Sequence, residues 1–182
     1  MDTPVPALLV DKHVIVWNHE LGSYIYQLGY FGSPVGIRKP KSPRFERPLE
    51  LTLLEAAFLL KKNIIRISEN DQEISHDQFL TICKERFAKF EDLYAVYKNL
   101  RDKRYIVRPG LKFGTDFSVY RRGPGIDHAP FLVSIFPKES TIEPIDLVRA
   151  GRLATSVRKR YVIATVLSDQ QIRYYVFQWN RP

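Results

Sequence analysis

The stretch FGTDFSVYRRGPGIDHAPFLVSIF, residues 113–136, decides how the second half of this chain is read. Two short runs of β-branched and aromatic residues, Phe117 to Tyr120 and Phe131 to Phe136, flank RRGPGID, whose glycines and proline suit a loop. The reading is strand, loop, strand, with Tyr120 closing the first strand and His128 opening the second. Both ring tips can then face one cleft. Downstream, LVRAGRLATSVRK (147–159) has helical spacing from a start near Pro144, and RYVIATVL (160–167) follows as an apolar strand. Lys159 stands at that helix-to-strand junction and can reach the same cleft.

Working outward, Tyr105 to Arg108 and Ile172 to Trp179 read as further strands of the same half. On the N-terminal side, His13 to Trp17 and Tyr24 to Tyr26 read as short strands punctuated by glycines. The segment GIRKPKSPRFERP (36–48) combines prolines with a cluster of cations, so it reads as a basic loop that leaves Arg38, Lys39, Lys41 and Arg44 in solvent. Thr52 with Glu55 forms a capping box opening the apolar helix LLEAAFLL, and Ile64 to Ile67 follows as a strand. Ser75 with Gln78 repeats the capping signature. From there Phe79, Ile82, Cys83, Phe87, Phe90, Tyr94 and Tyr97 recur at helical spacing, predicting one long or broken helix with these residues in the core. The expected fold class is α/β (α+β). A small mixed domain over residues 1–90 precedes an α/β domain over 91–182, built on a central mixed sheet with flanking helices.

Composition narrows the function. Lys and Arg number 28 against 20 Asp and Glu, giving a net charge of +8, which favours a polyanionic partner. Cys83 is the only cysteine, excluding an intrachain disulfide framework and a cysteine-built zinc site. A reducing, cytoplasmic setting without membrane association is expected, since the apolar runs are too short to cross a bilayer and the N-terminus lacks a signal-peptide pattern. His13, His19 and His76 read as structural, and Asp116, Asp127 and Glu143 are too scattered in sequence to suggest a divalent-metal nuclease. No metal or cofactor is expected.

A tyrosine, a histidine and a lysine suffice, in principle, to cleave RNA. The reaction needs a base for the ribose 2′-hydroxyl proton, an acid for the departing 5′-oxygen, and a cation beside the charge developing on phosphorus. Histidine is the natural acid. A phenol of ordinary pKa about 10 is a poor base at neutral pH, so Arg121, Arg122 and Lys159 are expected to favour the Tyr120 anion.

FGTDFSVY, HAPFLV and RLATSVRK, in that order, resemble the catalytic domain of the tRNA-splicing endonuclease family, and GYFG (29–32) with TLLEAAFLL (52–60) resembles its N-terminal domain. The resemblance implies Tyr120 as general base, His128 as general acid and Lys159 as transition-state stabiliser, yielding 2′,3′-cyclic phosphate and 5′-hydroxyl ends without metal. The implied substrate is precursor tRNA containing a bulge-helix-bulge motif. The family grips a flipped bulge base between two flat side chains from the opposite subunit. Arg152 matches the first position and Trp179 the second, with Arg181 or Arg173 able to share the task. Lys39, Lys41 and Arg44 are further expected RNA contacts. Two cuts at fixed spacing imply a tetramer. The turn Ser168-Asp169-Gln170 holds a single acid, which favours an α2β2 heterotetramer with a separate structural subunit over a homotetramer. The alternative is that this chain is itself the non-catalytic, RNA-binding structural subunit of such an assembly.

Overall fold

In the computed structural model, which describes residues 3–38, 40–169 and 171–177, the chain divides into two compact units, Met1–Phe90 and Glu91–Pro182. The first contains β1 (Val5–Val10), β2 (His13–Val16), α1 (His19–Gln27), β3 (Ser33–Pro34), β4 (Leu49–Leu51), α2 (Leu53–Lys61), β5 (Ile65–Glu69), β6 (Gln72–Ile74) and α3 (His76–Arg86). Its sheet runs β3-β4-β2-β1-β5-β6, antiparallel except for the parallel β1–β5 pair.

Glu55 ties this unit together. Its carboxylate closes the expected capping box, accepting from the Thr52 amide and hydroxyl at 2.9 Å each, and it also accepts from the Gly32 amide at 2.9 Å. Gly32 adopts φ +74°, and a Cβ there would lie 2.6 Å from the Glu50 carbonyl, so only glycine can present that amide. The second capping box, Ser75 with Gln78, opens α3.

Several expectations change. Tyr24 to Tyr26 is not a strand but part of α1, because the Asn18 side chain caps the Glu20 and Leu21 amides and the helix buries Gly22, Ile25 and Tyr26 together. The long helix breaks: α3 ends at Phe87, which turns extended at φ −147°, and a new helix, α4 (Phe90–Asp102), begins after it. Phe87 is consequently 43% exposed rather than in the core, whereas Phe79, Cys83, Phe90 and Tyr97 are buried. The basic loop keeps Arg38, Lys41 and Arg44 exposed, and Lys39 lies outside the described residues. Phe45 anchors the loop by packing edge-on against Tyr26 and exchanging hydrogen bonds with the Ser23 hydroxyl at 3.1 and 3.2 Å.

The second unit adds β7 (Ile106–Pro109), β8 (Phe117–Tyr120), β9 (Phe131–Ile135), α5 (Pro144–Ser156), β10 (Arg160–Val166) and β11 (Ile172–Phe177) to α4. The sheet runs β11-β10-β9-β8-β7, with β9 and β10 parallel and the other neighbours antiparallel. A parallel pair requires a crossover, and α5 provides it. Side chains alternate across the sheet. On one face Leu132, Tyr161 and Ile163 form a core with Ala154 of α5. On the other, Phe117 meets Tyr97 of α4 edge-on, with ring centroids 5.9 Å apart. No helix among the described residues is long and apolar enough to cross a membrane.

Two outcomes test this packing. Glu55→Ala removes the carboxylate that accepts from the buried Gly32 amide and from the Thr52 cap, and should lower unfolding stability in urea by about 1–3 kcal/mol. Burial pushes the Cys83 thiol up to about 12, so a thiol reagent should modify it only after denaturation, with no reaction in the native state.

Candidate active site

Strand register carries Tyr120 and Lys159 to one end of the second sheet, where the loop holding His128 leads into β9. Antiparallel β8 and β9 match Phe117 with Val133, Ser118 with Leu132 and Val119 with Phe131. Extending this register by one step sets Tyr120 across from Pro130. Parallel β9 and β10 match Phe131 with Arg160, so Lys159 flanks Pro130 from the other side. Two strand spacings separate the backbones of Tyr120 and Lys159, about 10 Å. His128 precedes Pro130 by two residues and is exposed.

Lys159 is held in place. Its Nζ donates to the Ala129 carbonyl at 2.7 Å, tying β10's start to the residue beside His128. It also sits 5.6 Å from the centroid of Phe113, a ring that packs against the Leu132–Tyr161 core. Burial lowers the Lys159 pKa from its ordinary 10.5, and the positive charge of Lys112 lowers it further.

The loop between Tyr120 and His128 is organised by Asp127. Its carboxylate accepts from the backbone amides of Arg121, Arg122 and Gly123 at 3.2, 3.1 and 2.8 Å. Desolvation, the largest single influence, works to raise the Asp127 pKa, but these three bonds and the Arg122 charge together outweigh it and leave the carboxyl below its ordinary 3.8. The aspartate that adjoins His128 thereby pins the backbone that follows Tyr120. In sequence Asp127 reads only as one of three scattered acids, and its offset of four to six residues from the amides it binds is the signal that marks the clamp.

The expected tuning of Tyr120 is overturned. Burial raises its phenol above 10.0, Arg108 pulls it back in part, and Asp127 raises it again, so the phenol is held protonated. The nearby cation is Arg108 of β7, not Arg121, Arg122 or Lys159. Tyr120 pairs with Ile106 and Ser118 with Arg108, so strand alternation sets Arg108 on Tyr120's face, while the two loop arginines extend into solvent.

Arg152 is exposed on α5 and lines a groove of about 690 Å³ together with Lys159, Arg158, Arg160 and Phe177. Arg173 is exposed on β11, opposite Thr165; Trp179 and Arg181 lie outside the described residues. Tyr175, Val176 and Phe177 on β11 are 48%, 56% and 39% exposed, and the strand's outer edge has no partner among the described residues. Of the histidines expected to be structural, His13 pairs with Glu50 at 2.7 Å and His76 contacts Asp77 at 3.4 Å. No three His, Cys, Asp or Glu side chains converge among the described residues in a way that could hold a metal.

Comparison with known families matches residues 90–174 to the tRNA intron endonuclease catalytic C-terminal domain, and residues 5–80 to the tRNA intron endonuclease N-terminal domain. Among curated proteins, the tRNA-splicing endonuclease of Hyperthermus butylicus is 42% identical over 98% of this chain and 99% of its own length. Those of Saccharolobus islandicus and Saccharolobus solfataricus are 40% and 41% identical, each over 96% of this chain and 98% of their own lengths.

Replacing Asp127 by alanine should free the Arg122 and Gly123 amides. Their hydrogen exchange should accelerate at least tenfold while the β9 and β10 amides keep their protection; unchanged exchange at the loop would contradict the clamp.

Proposed function

The chain belongs to the tRNA intron endonuclease family, and from that premise we propose that it is the cutting subunit, with Tyr120, His128 and Lys159 acting on one phosphodiester of a precursor tRNA at a bulge-helix-bulge motif. The observation that carries this reading is the approach of the Tyr120 and Lys159 strand ends to Pro130, with the Lys159 ammonium bonded beside His128.

In this mechanism Tyr120 accepts the proton of the ribose 2′-hydroxyl as its oxygen attacks phosphorus. His128 gives a proton to the departing 5′-oxygen, and Lys159 faces the charge that gathers on the non-bridging oxygens. The phosphorus-to-5′-oxygen bond breaks, leaving a 2′,3′-cyclic phosphate and a 5′-hydroxyl. Attacking and leaving groups are both served by side chains, so no metal takes part. An ordinary phenol is ionised in roughly one molecule per thousand at pH 7, and Tyr120 less often, since its value is raised. The site therefore works from a small anionic population, and the lysine charge beside the phosphate lowers the barrier for that population.

Assembly follows from β11. A strand edge that is unpaired among the described residues and bears exposed Tyr175, Val176 and Phe177 is suited to pairing with another subunit. The single acid of the turn at Asp169 favours a structural partner chain in an α2β2 heterotetramer over four copies of this chain. Arg152 and, beyond the described residues, Trp179 serve the flipped base. Lys39, Lys41 and Arg44 of the basic loop meet substrate phosphates.

Tyr120→Phe, His128→Ala and Lys159→Ala should each lower the cleavage rate by about 10²- to 10⁴-fold while RNA binding persists, and wild-type cleavage should survive excess EDTA. Rates unchanged by all three substitutions in the assembled enzyme would instead make the chain the structural RNA-binding subunit, and loss of cleavage in EDTA would require a metal. The pH profile gives a separate check. Lys159 acts only when protonated and its folded pKa is lowered from 10.5, so activity should fall on the alkaline side from a pH below that value. Lys159→Arg, which stays charged, should move the fall upward.

A further inference from the structure

Lys112 is a cation that the three-residue mechanism leaves without a task. It sits in a 3-10 turn, Leu111–Phe113, that leads into β8 and is closed by backbone hydrogen bonds. The Gly110 amide donates to the Asp116 carbonyl at 2.8 Å, and the Phe113 amide to the Gly110 carbonyl at 2.7 Å. A Cβ on Gly110 would lie 2.4 Å from the Thr115 hydroxyl oxygen, so the turn packs directly on the residues entering the strand. Gly114 then takes φ +62° and redirects the chain.

The turn delivers Lys112 to the ring that Lys159 already occupies. Lys112 Nζ lies 5.7 Å from the Phe113 centroid and Lys159 Nζ 5.6 Å from the same centroid. Neither ammonium has a carboxylate within ion-pair distance among the described residues. Two like charges set around one aromatic ring repel each other, and the positive charge of Lys112 is felt at Lys159; the ring's quadrupole offsets only part of that cost. An arrangement of this kind is stabilised by an external polyanion whose successive charges reach each ammonium. In a protein of net charge +8 that belongs to a family of RNA-cutting enzymes, a polyphosphate strand supplies one.

We propose that Lys112 is a substrate-binding residue of the cleavage site, contacting the RNA phosphate adjacent to the one that Lys159 faces. The inference rests on the site reading given above and extends it from one phosphate to two. Because Lys112 meets a phosphate that does not react, its contact is equal in the ground and transition states, and its loss should appear in KM rather than kcat.

The test is Lys112→Met in the full chain within its active assembly, with Lys112→Arg and Lys159→Ala in parallel. Methionine keeps an apolar stem over Phe113 and removes the charge. We expect KM for bulge-helix-bulge RNA to rise roughly five- to tenfold, with kcat within about twofold of wild type. The slope of log(1/KM) against log salt should become shallower by about 0.7 to 0.9, one phosphate contact, and Lys112→Arg should restore both. A wild-type KM and slope in Lys112→Met would overturn the assignment, as would a loss confined to kcat or a failure of Lys112→Arg to rescue. Should Lys112→Met fold poorly, Lys112→Gln with the same readouts decides. Lys159→Ala separates the two readings: undiminished cleavage by that variant removes the site reading, while a changed salt slope in Lys112→Met is read independently from RNA binding.

Discussion

Parallel pairing of β9 with β10 is the constraint on which the candidate site depends. Parallel neighbours cannot be joined by a tight turn, so the chain must leave the sheet, cross one face and return at the starting end. Helix α5 makes that return, and the Lys159 amide bonds to the Ala154 carbonyl as the helix ends. Lys159 thereby arrives beside Pro130 instead of at the far end of the sheet. The antiparallel β8 contributes its C-terminal end to the same edge, and Tyr120 is its last residue. Packing of Ala154 against Leu132, Tyr161 and Ile163 fixes the crossover, so the same apolar contacts that build the core set the position of the lysine.

Electrostatics at this edge are arranged by burial as much as by partner charges. Tyr120 is pushed toward its neutral phenol and Lys159 toward its neutral amine, each chiefly by desolvation. Both shifts disfavour the ionised forms that the proposed chemistry uses. A polyanionic substrate acts against the lysine shift, because a nearby phosphate favours the ammonium. Asp127 plays a different part. Its charge is engaged with three backbone amides, so it shapes the loop between the tyrosine and the histidine, although it also adds to the rise at Tyr120.

The first unit shows how a proline-rich basic segment can be fixed without regular structure. Phe45 is buried against Tyr26 toward the end of the loop, and its backbone bonds to Ser23 satisfy an amide and a carbonyl that would otherwise be buried alone. Lys41 and Arg44, both just ahead of that fixed point, stay in solvent. Cations presented from an anchored loop lose less entropy on meeting an anion than cations on a loose one.

Local signals legible in the sequence were those whose physics is local. The capping boxes of α2 and α3, the strand Phe117 to Tyr120 and the start of α5 at Pro144 each depend on neighbours a few residues away. The missed elements depend on distant partners. Strand β1 contains Pro6, which discourages a strand reading, yet Pro6 stands near the strand's start, where a lost donor is tolerated, and β5 pairs alongside it. Tyr24, Ile25 and Tyr26 have strand propensity, but Asn18 and burial of one helical face outweigh it. By itself the sequence determined which residue types the chain offers, the family to which their order points, and the segments on which Tyr120, His128 and Lys159 reside. Only the tertiary structure decided that Arg108, not Arg121 or Arg122, is the cation acting on Tyr120, and that Lys112 shares a ring with Lys159. The reason is that charge interactions follow distance and burial through space, and these are set by strand register and packing, not by adjacency along the chain.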